Sequence, residues 1–127
     1  MNRTVNPPTM APPAAKYAHA VISERPTGIL HTSGVVPTRA DGSVPPTIGE
    51  QAVVVWENIT ALLAEAGMAP SDIVSITTYV VPDQPLAEVM AARDHALDGH
   101  LAASTLLTVH ALARAEWLME IAVVAAR

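Results

Sequence analysis

The stretch from Trp117 to Ala126, WLMEIAVVAA, carries a single charge, Glu120. A carboxylate taken out of water without a partner costs several kcal/mol or more, roughly, so a lone Glu in such company is either reached by water or put to use. On a strand its own face also carries Leu118 and Ala122, and a face meant only for solvent would show more polar company. A carboxylate on a wet sheet edge is the competing reading. Held partly out of water, the group can act as a general base or orient a water molecule. Ser33 and Gly34 are a second candidate, because a glycine lets the backbone come close to a ligand. No G-x-S-x-G pattern surrounds Ser33, so it is not read as a nucleophile. The histidines, His19, His31, His95, His100 and His110, show none of the short metal-ligand spacings such as H-E-x-x-H. No metal site and no cofactor is expected.

Composition narrows the classes of function that these residues could serve. A chain of 127 residues is the size of one ordinary domain. Half of it is hydrophobic, yet it has no Phe, two Trp and two Tyr, so its core must be aliphatic. Twelve acidic against seven basic residues give a net charge of -5, which leaves no basic excess for a phosphate backbone. Nucleic acid is therefore an unexpected partner. The absence of Cys excludes disulfides, thiolate zinc sites and Cys nucleophiles together. No apolar run approaches the roughly 18 residues of a membrane span, and a soluble cytoplasmic protein is expected.

The elements that must position these groups can be read in order. Residues 1–16, with Pro7, Pro8, Pro12 and Pro13, read as a flexible Pro-rich leader, and residues 17–127 as a single domain. YAHAVISE and ILHTSG read as strands joined across Pro26 and Gly28 in a β-hairpin. VPTRADGSVPPT, residues 36–47, lacks periodicity and reads as a surface loop. Thr47 and Glu50 then form a T-x-x-E capping pair ahead of a helix. Ala52, Val55, Ile59, Leu62, Leu63 and Ala66 make its apolar face, and Gly67 ends it. IVSITTYVV reads as a strand in which Ile73, Ser75, Thr77, Tyr79 and Val81 alternate with Val74, Ile76, Thr78 and Val80. A second helix is expected from about Pro85 to Leu97, capped by Asp83, with Leu86, Val89, Met90 and Leu97 as its apolar face and Gly99 at its end. STLLTVHAL and EWLMEIAVVA read as a closing hairpin. The order ββαβαββ predicts an α+β sandwich, one mixed sheet with two helices on one face. The other face needs a cover, which copies of the same chain would supply as a closed homo-oligomer.

The same residues resemble the RidA (YjgF) family of reactive-intermediate deaminases. The resemblance rests on Tyr17-Ala-His-Ala20, Thr32-Ser33-Gly34, the helix VWENITALLAEAG, the strand ITTYVV, Ala103-Ser-Thr105 and MEIAVVA. It covers nearly all of residues 17–126 and implies a single Rid-like domain with a chorismate-mutase-like fold, a homotrimer with three clefts between subunits. It also implies that Glu120 faces such a cleft and handles the water that hydrolyses an imine. Tyr17, Ser33, Gly34, Ser104 and Thr105 would line the cleft around a small-molecule substrate. For Tyr17 the alternative is an aromatic packed on the sheet.

Two departures qualify the implied activity. The deaminases carry an arginine immediately before the Ser-Thr pair, where its fork clamps a substrate carboxylate. Here that position is Ala103, and losing such a pair costs on the order of 2–5 kcal/mol. The usual 2-imino acids are thus expected to be poor substrates. Val35 makes the cleft more apolar, and the last connection, HALARAEW, is longer than usual. His19, His110, Arg93 or Arg114 could supply a replacement polar group. The resulting expectation is a Rid-like hydrolase or deaminase acting on a reactive imine, enamine or related metabolite. The alternative is a non-catalytic trimer that binds a small ligand or serves as a scaffold. Ribonuclease activity, attached to parts of this family, is disfavoured by the acidic balance and the lack of a basic or aromatic groove.

Overall fold

The computed structural model describes residues 1–127. The elements run β1 (Asn2–Val5), β2 (Ala20–Ser23), β3 (Ile29–His31), α1 (Ile48–Glu65), β4 (Ile73–Val80), α2 (Leu86–Leu97), β5 (Ala103–Thr108) and β6 (Met119–Ala126). The main sheet has the order β3-β6-β4-β5, and β1 and β2 form a separate two-stranded ribbon. The sheet is mixed, since β4 pairs parallel with β5 and antiparallel with β6.

α1 forms where its punctuation lies. Thr47 has extended backbone, φ -107° and ψ 151°, and its hydroxyl accepts from Glu50 N at 3.4 Å. Gly67 follows the helix at φ 72°, a conformation in which a Cβ would be strained. The face of α1 that meets the sheet carries Ala52, Val55, Ile59 and Leu63, each fully buried. Burying Ile59 and Leu63 contributes roughly 1.5–3 kcal/mol each. Leu62 and Ala66, expected on that face, are exposed instead, and the buried positions extend to Ile48, Val54 and Trp56. Replacing Thr47 by Ala should cost about 1 kcal/mol through the lost cap. Denaturant unfolding measures it, and an unchanged midpoint would place the start of the helix elsewhere.

Both expected hairpins are replaced by longer-range pairings. β5 and β6 do not pair, because β4 lies between them. The β4–α2–β5 crossover delivers β5 parallel to β4, which a tight turn cannot do. β6 takes a central place because Met119, Ile121, Val123 and Ala125 are all buried on one face, with partners on both edges. At the other end β2 pairs with β1, and β3 pairs with β6. Thr27 N and Gly28 N both donate to Arg127 O, which directs the chain from the turn to the C-terminal strand.

The leader is correspondingly more ordered than its prolines suggested. Residues 2–5 are β1, and the N-terminal amine donates to Glu24 O at 2.9 Å. After the strand, His19 N donates to Asn6 Oδ1 at 2.8 Å and the His19 ring Nε2 lies 2.6 Å from Ala11 O. The prolines begin only at Pro7, so residues 2–5 keep the N–H groups a ladder needs.

Three smaller expectations change. In β4 the register shifts between Ile73 and Ser75, a bulge that puts Ile73 on the buried face with Ile76, Thr78 and Val80. Asp83 does not cap α2; it lies at φ 65°, and the helix starts after Pro85 with no side-chain cap. On α2, Leu86 is 38% exposed, while Val89, Arg93 and Leu97 are buried at four-residue spacing. In the loop after β3, the Ser43 hydroxyl and then its N–H donate to Asp41 and hold that carboxyl below its ordinary pKa.

One polar side chain ties α1 to the strand that carries Glu120. Gln51 is 1% exposed, and its Nε2 donates to Pro45 O at 2.9 Å and to Glu116 O at 2.8 Å. Its Oε1 accepts from Leu118 N at 2.9 Å, so the entry to β6 is pinned to the helix. Both helices cover one face of the sheet in a single aliphatic core. The other face stays partly exposed.

Candidate functional site

The uncovered face follows from the register. Paired residues share a face, so Glu120 lies beside Tyr79, Thr77 lies between Ala122 and Thr105, and Ser75 between Val124 and Ala103. All are partly buried except Thr105, which is exposed, and Leu107 next to Tyr79 is 36% exposed. This is the face with polar and apolar groups mixed, as Ser75, Thr77 and Tyr79 indicated.

Glu120 sits in a notch made by the chain that follows β3. Thr32 N donates to Val123 O at 3.0 Å, and Val123 N donates to Thr32 Oγ1 at 3.0 Å. Val35 and Ile121 then exchange both backbone bonds, at 2.7 and 3.1 Å. Between these anchors Ser33 and Gly34 pass the Glu120 side chain. A Cβ added at Gly34 would overlap Glu120 Oε2 and lie 2.9 Å from its Cδ, so any other residue there would push this carboxylate aside. Ser33 and Gly34 are exposed, and the Glu120 carboxylate takes no hydrogen bond or ion pair from its own chain. Its acceptor capacity faces the solvent side of the sheet.

The other expected site residues divide between the two faces. Ala103 is level with Ser75, four positions along β4 from the Tyr79 that pairs with Glu120. At about 3.3 Å per residue this separates them by roughly 13 Å along the strand. Ala103 and Thr105 thus share the open face with Glu120 without reaching it. Ser104 pairs with Ile76 and therefore points to the helix side, where its Oγ accepts from Arg93 Nη1 at 3.4 Å. Tyr17 joins Ser104 there, in a cleft also lined by Met90, Arg93 and Leu106. The chain alone therefore gathers Ser33, Gly34 and Glu120 into one place and Tyr17 and Ser104 into another.

Of the replacement polar groups, His19, Arg93 and Arg114 have partners within the chain. His19 stands edge-on to Tyr17 at 6.1 Å and bonds Ala11 O. Arg114 stacks over Trp117 at 5.4 Å and lies 4.0 Å from Glu116. His110 is exposed. No group of three or more His, Asp or Glu is placed to hold a metal ion. Sequence reasoning named Arg93 only as a replacement cation and passed over Gln51 altogether. Both carried a signal, a polar residue within an apolar helical stripe: Arg93 between Val89 and Leu97, and Gln51 beside Ala52 and Val55.

A mixed four-stranded sheet, with two helices on one face and a glycine-backed carboxylate on the other, defines an α+β domain. The chain belongs to the family described as endoribonuclease L-PSP, whose model matches residues 8–127, and with it to the RidA (YjgF) proteins. It is 29% identical over 80 residues to the RutC family protein YjgH of Escherichia coli (strain K12), a match covering 62% of this chain and 59% of that relative's length. The crystal structure of YyfB from Yersinia pestis, a protein of unknown function in the conserved Rid family, has a TM-score of 0.90 at 33% identity. It covers 99% of this chain and 98% of that one. E. coli TdcF with bound serine shares the fold, with a TM-score of 0.73 at 20% identity over 98% of each chain.

Proposed function

We propose that this chain is a Rid-like hydrolase or deaminase for a reactive imine, enamine or related small metabolite, with Glu120 orienting and deprotonating the attacking water. The carrying observation is the Glu120 carboxylate, which has no partner in its own chain and lies so close to Gly34 that a Cβ there would displace it. Water adds to an imine carbon once the nitrogen is protonated, and the base needs a free oxygen near the approach path. The exposed Ser33–Gly34 segment leaves such a path open, and its backbone can come close to a substrate. Serine bound to TdcF supports a small molecule as the occupant of this fold. Cytoplasmic location remains part of the proposal, consistent with a chain in which no helix is long and apolar enough to cross a membrane.

The reading requires an assembly. The open face carries Tyr79, Ala122, Val124 and Leu107 beside Glu120, and the helices cover only the opposite side. A homotrimer closed on this face would bury those side chains and bring the Ala103–Thr105 segment of one copy to the Glu120 of another. That would overcome the roughly 13 Å offset within one chain. Ala103 offers a methyl group where the family's arginine stands, so carboxylate-free substrates are favoured over 2-imino acids. The reading of a non-catalytic binder rests on that same methyl group. Mass measurement in solution tests the assembly: a trimer at micromolar concentration is expected, and a stable monomer would remove the shared cleft.

A further inference from the structure

We infer that Tyr79 is the acid that works opposite Glu120, its phenol delivering the proton that an imine nitrogen takes up as water is added. The inference rests on the reading of Glu120 as the base. Tyr79 and Glu120 are direct partners across the β4–β6 ladder, which puts their Cβ atoms roughly 4.5–5.5 Å apart on one face. Side chains stand nearly perpendicular to a sheet, so the longer tyrosine carries its hydroxyl past the carboxylate on the same side. On its other flank Tyr79 pairs with Leu107, which offers that hydroxyl nothing to bond. Of the two tyrosines, Tyr17 has its hydroxyl engaged by Ala14 N at 3.3 Å, whereas Tyr79 has no partner within the chain. Tyr79 and Glu120 are both partly buried.

The reaction needs a donor at this place. As the new C–O bond forms, Glu120 takes a proton from the water, the C=N π pair moves to nitrogen, and nitrogen takes the phenol proton. The proton then returns from Glu120 to Tyr79 through solvent, which resets both groups. In the second step Glu120 takes the hydroxyl proton of the carbinolamine and the C–N bond breaks with its pair on nitrogen. Tyr79 supplies the proton with which the amine leaves. The same return closes the cycle, with one water consumed and no net proton gained. The residues that share the face around Glu120, from Tyr79 and Leu107 to Thr77 and Ala122, include no cation, so within this chain the donor is a neutral one. Closure of the face by a second copy would exclude bulk water around the pair, which strengthens both transfers.

Tyr79→Phe keeps the ring and removes only the hydroxyl, so a residue that merely packs would be unaffected. Stopped-flow loss of C=N absorbance by the whole chain tests the inference, with N-methylbenzaldimine at a pH that keeps it neutral and with N,N-dimethylbenzaldiminium. The neutral imine must gain a proton as water adds, whereas the iminium already carries its charge and needs only the base. For the imine, Tyr79→Phe should lower kcat by about 10²-fold with KM changed less than about twofold, and for the iminium it should leave the rate within about twofold. Glu120→Gln should slow both. Equal losses on the two substrates, or a change confined to KM, would make Tyr79 a packing residue and overturn the inference. A Tyr79→Phe chain with wild-type kcat on the imine would overturn it and leave Glu120 as the base. A Glu120→Gln chain with wild-type rates on both substrates, or a wild type that turns over neither, would instead remove the reading of Glu120 and the pair with it.

Discussion

An Ala103→Arg chain should hydrolyse 2-iminobutyrate at least about 30-fold faster than the wild type, the lower end of what a desolvated charge-assisted pair supplies. Ala103 is only partly buried on the open face, so a longer side chain can extend there without entering the core. The new guanidinium would hold the substrate carboxylate, while Glu120 from a neighbouring copy handles the water. The two effects multiply only when both groups face one cleft. Steady-state kinetics on the single variant and on the same change in a Glu120→Gln background measure this. The gain should disappear in the double variant. A correctly assembled Ala103→Arg chain with no gain would show that Val35 and the long connection before β6 have reshaped the cleft. A wild type that already turns over this substrate as fast would contradict the role given to Ala103.

Replacing Gln51 by Leu should destabilise the fold by about 3 kcal/mol, from three hydrogen bonds of a buried side chain worth about 1 kcal/mol each. The change would leave Pro45 O, Glu116 O and Leu118 N without their partner in a region that α1 closes to water. Leucine has nearly the volume of glutamine, so the loss isolates the polar bonds from any cavity. Denaturant unfolding reads it as a shift of midpoint at constant slope. A loss below about 1 kcal/mol would mean that water or a neighbouring group satisfies those three atoms. Because Leu118 stands two residues before Glu120, the same side chain also holds the start of the functional strand in register.

How much of this could be read from the sequence depended on whether the cause was local. The cap at Thr47, most of the stripe of α1 and the stop at Gly67 depend on residues within a turn or two of one another, and they appear as read; Leu62 and Ala66 are the exceptions. Strand identity in β4 and β6 was equally visible, because dense β-branched and aliphatic residues suit a sheet in any neighbourhood. Partner choice was not. β2 and β3 look like hairpin arms, but β1 supplies the ladder for one and Arg127 draws the other to β6, contacts up to a hundred residues apart. The bulge after Ile73 likewise leaves no mark in an alternating pattern of β-branched residues. At the site, Glu120 stood out because one charge broke an apolar run, and Gly34 because a glycine lets the backbone approach a ligand; that Gly34 packs against Glu120 itself appears only in the fold. The placement of Tyr17 and Ser104 on the helix side followed from strand register, which composition does not encode.

The most direct measurement is the rate of hydrolysis of a carboxylate-free imine as a function of pH, for the wild type and for Glu120→Gln. The substitution preserves shape against Gly34 and removes only the ability to take a proton. With Glu120 as the group that activates water, the wild-type rate depends on its ionisation. In Glu120→Gln the rate should fall by about 10²- to 10⁴-fold and lose that pH dependence. A Glu120→Gln chain that retains the wild-type rate and pH profile would contradict the assignment of the reaction to this notch.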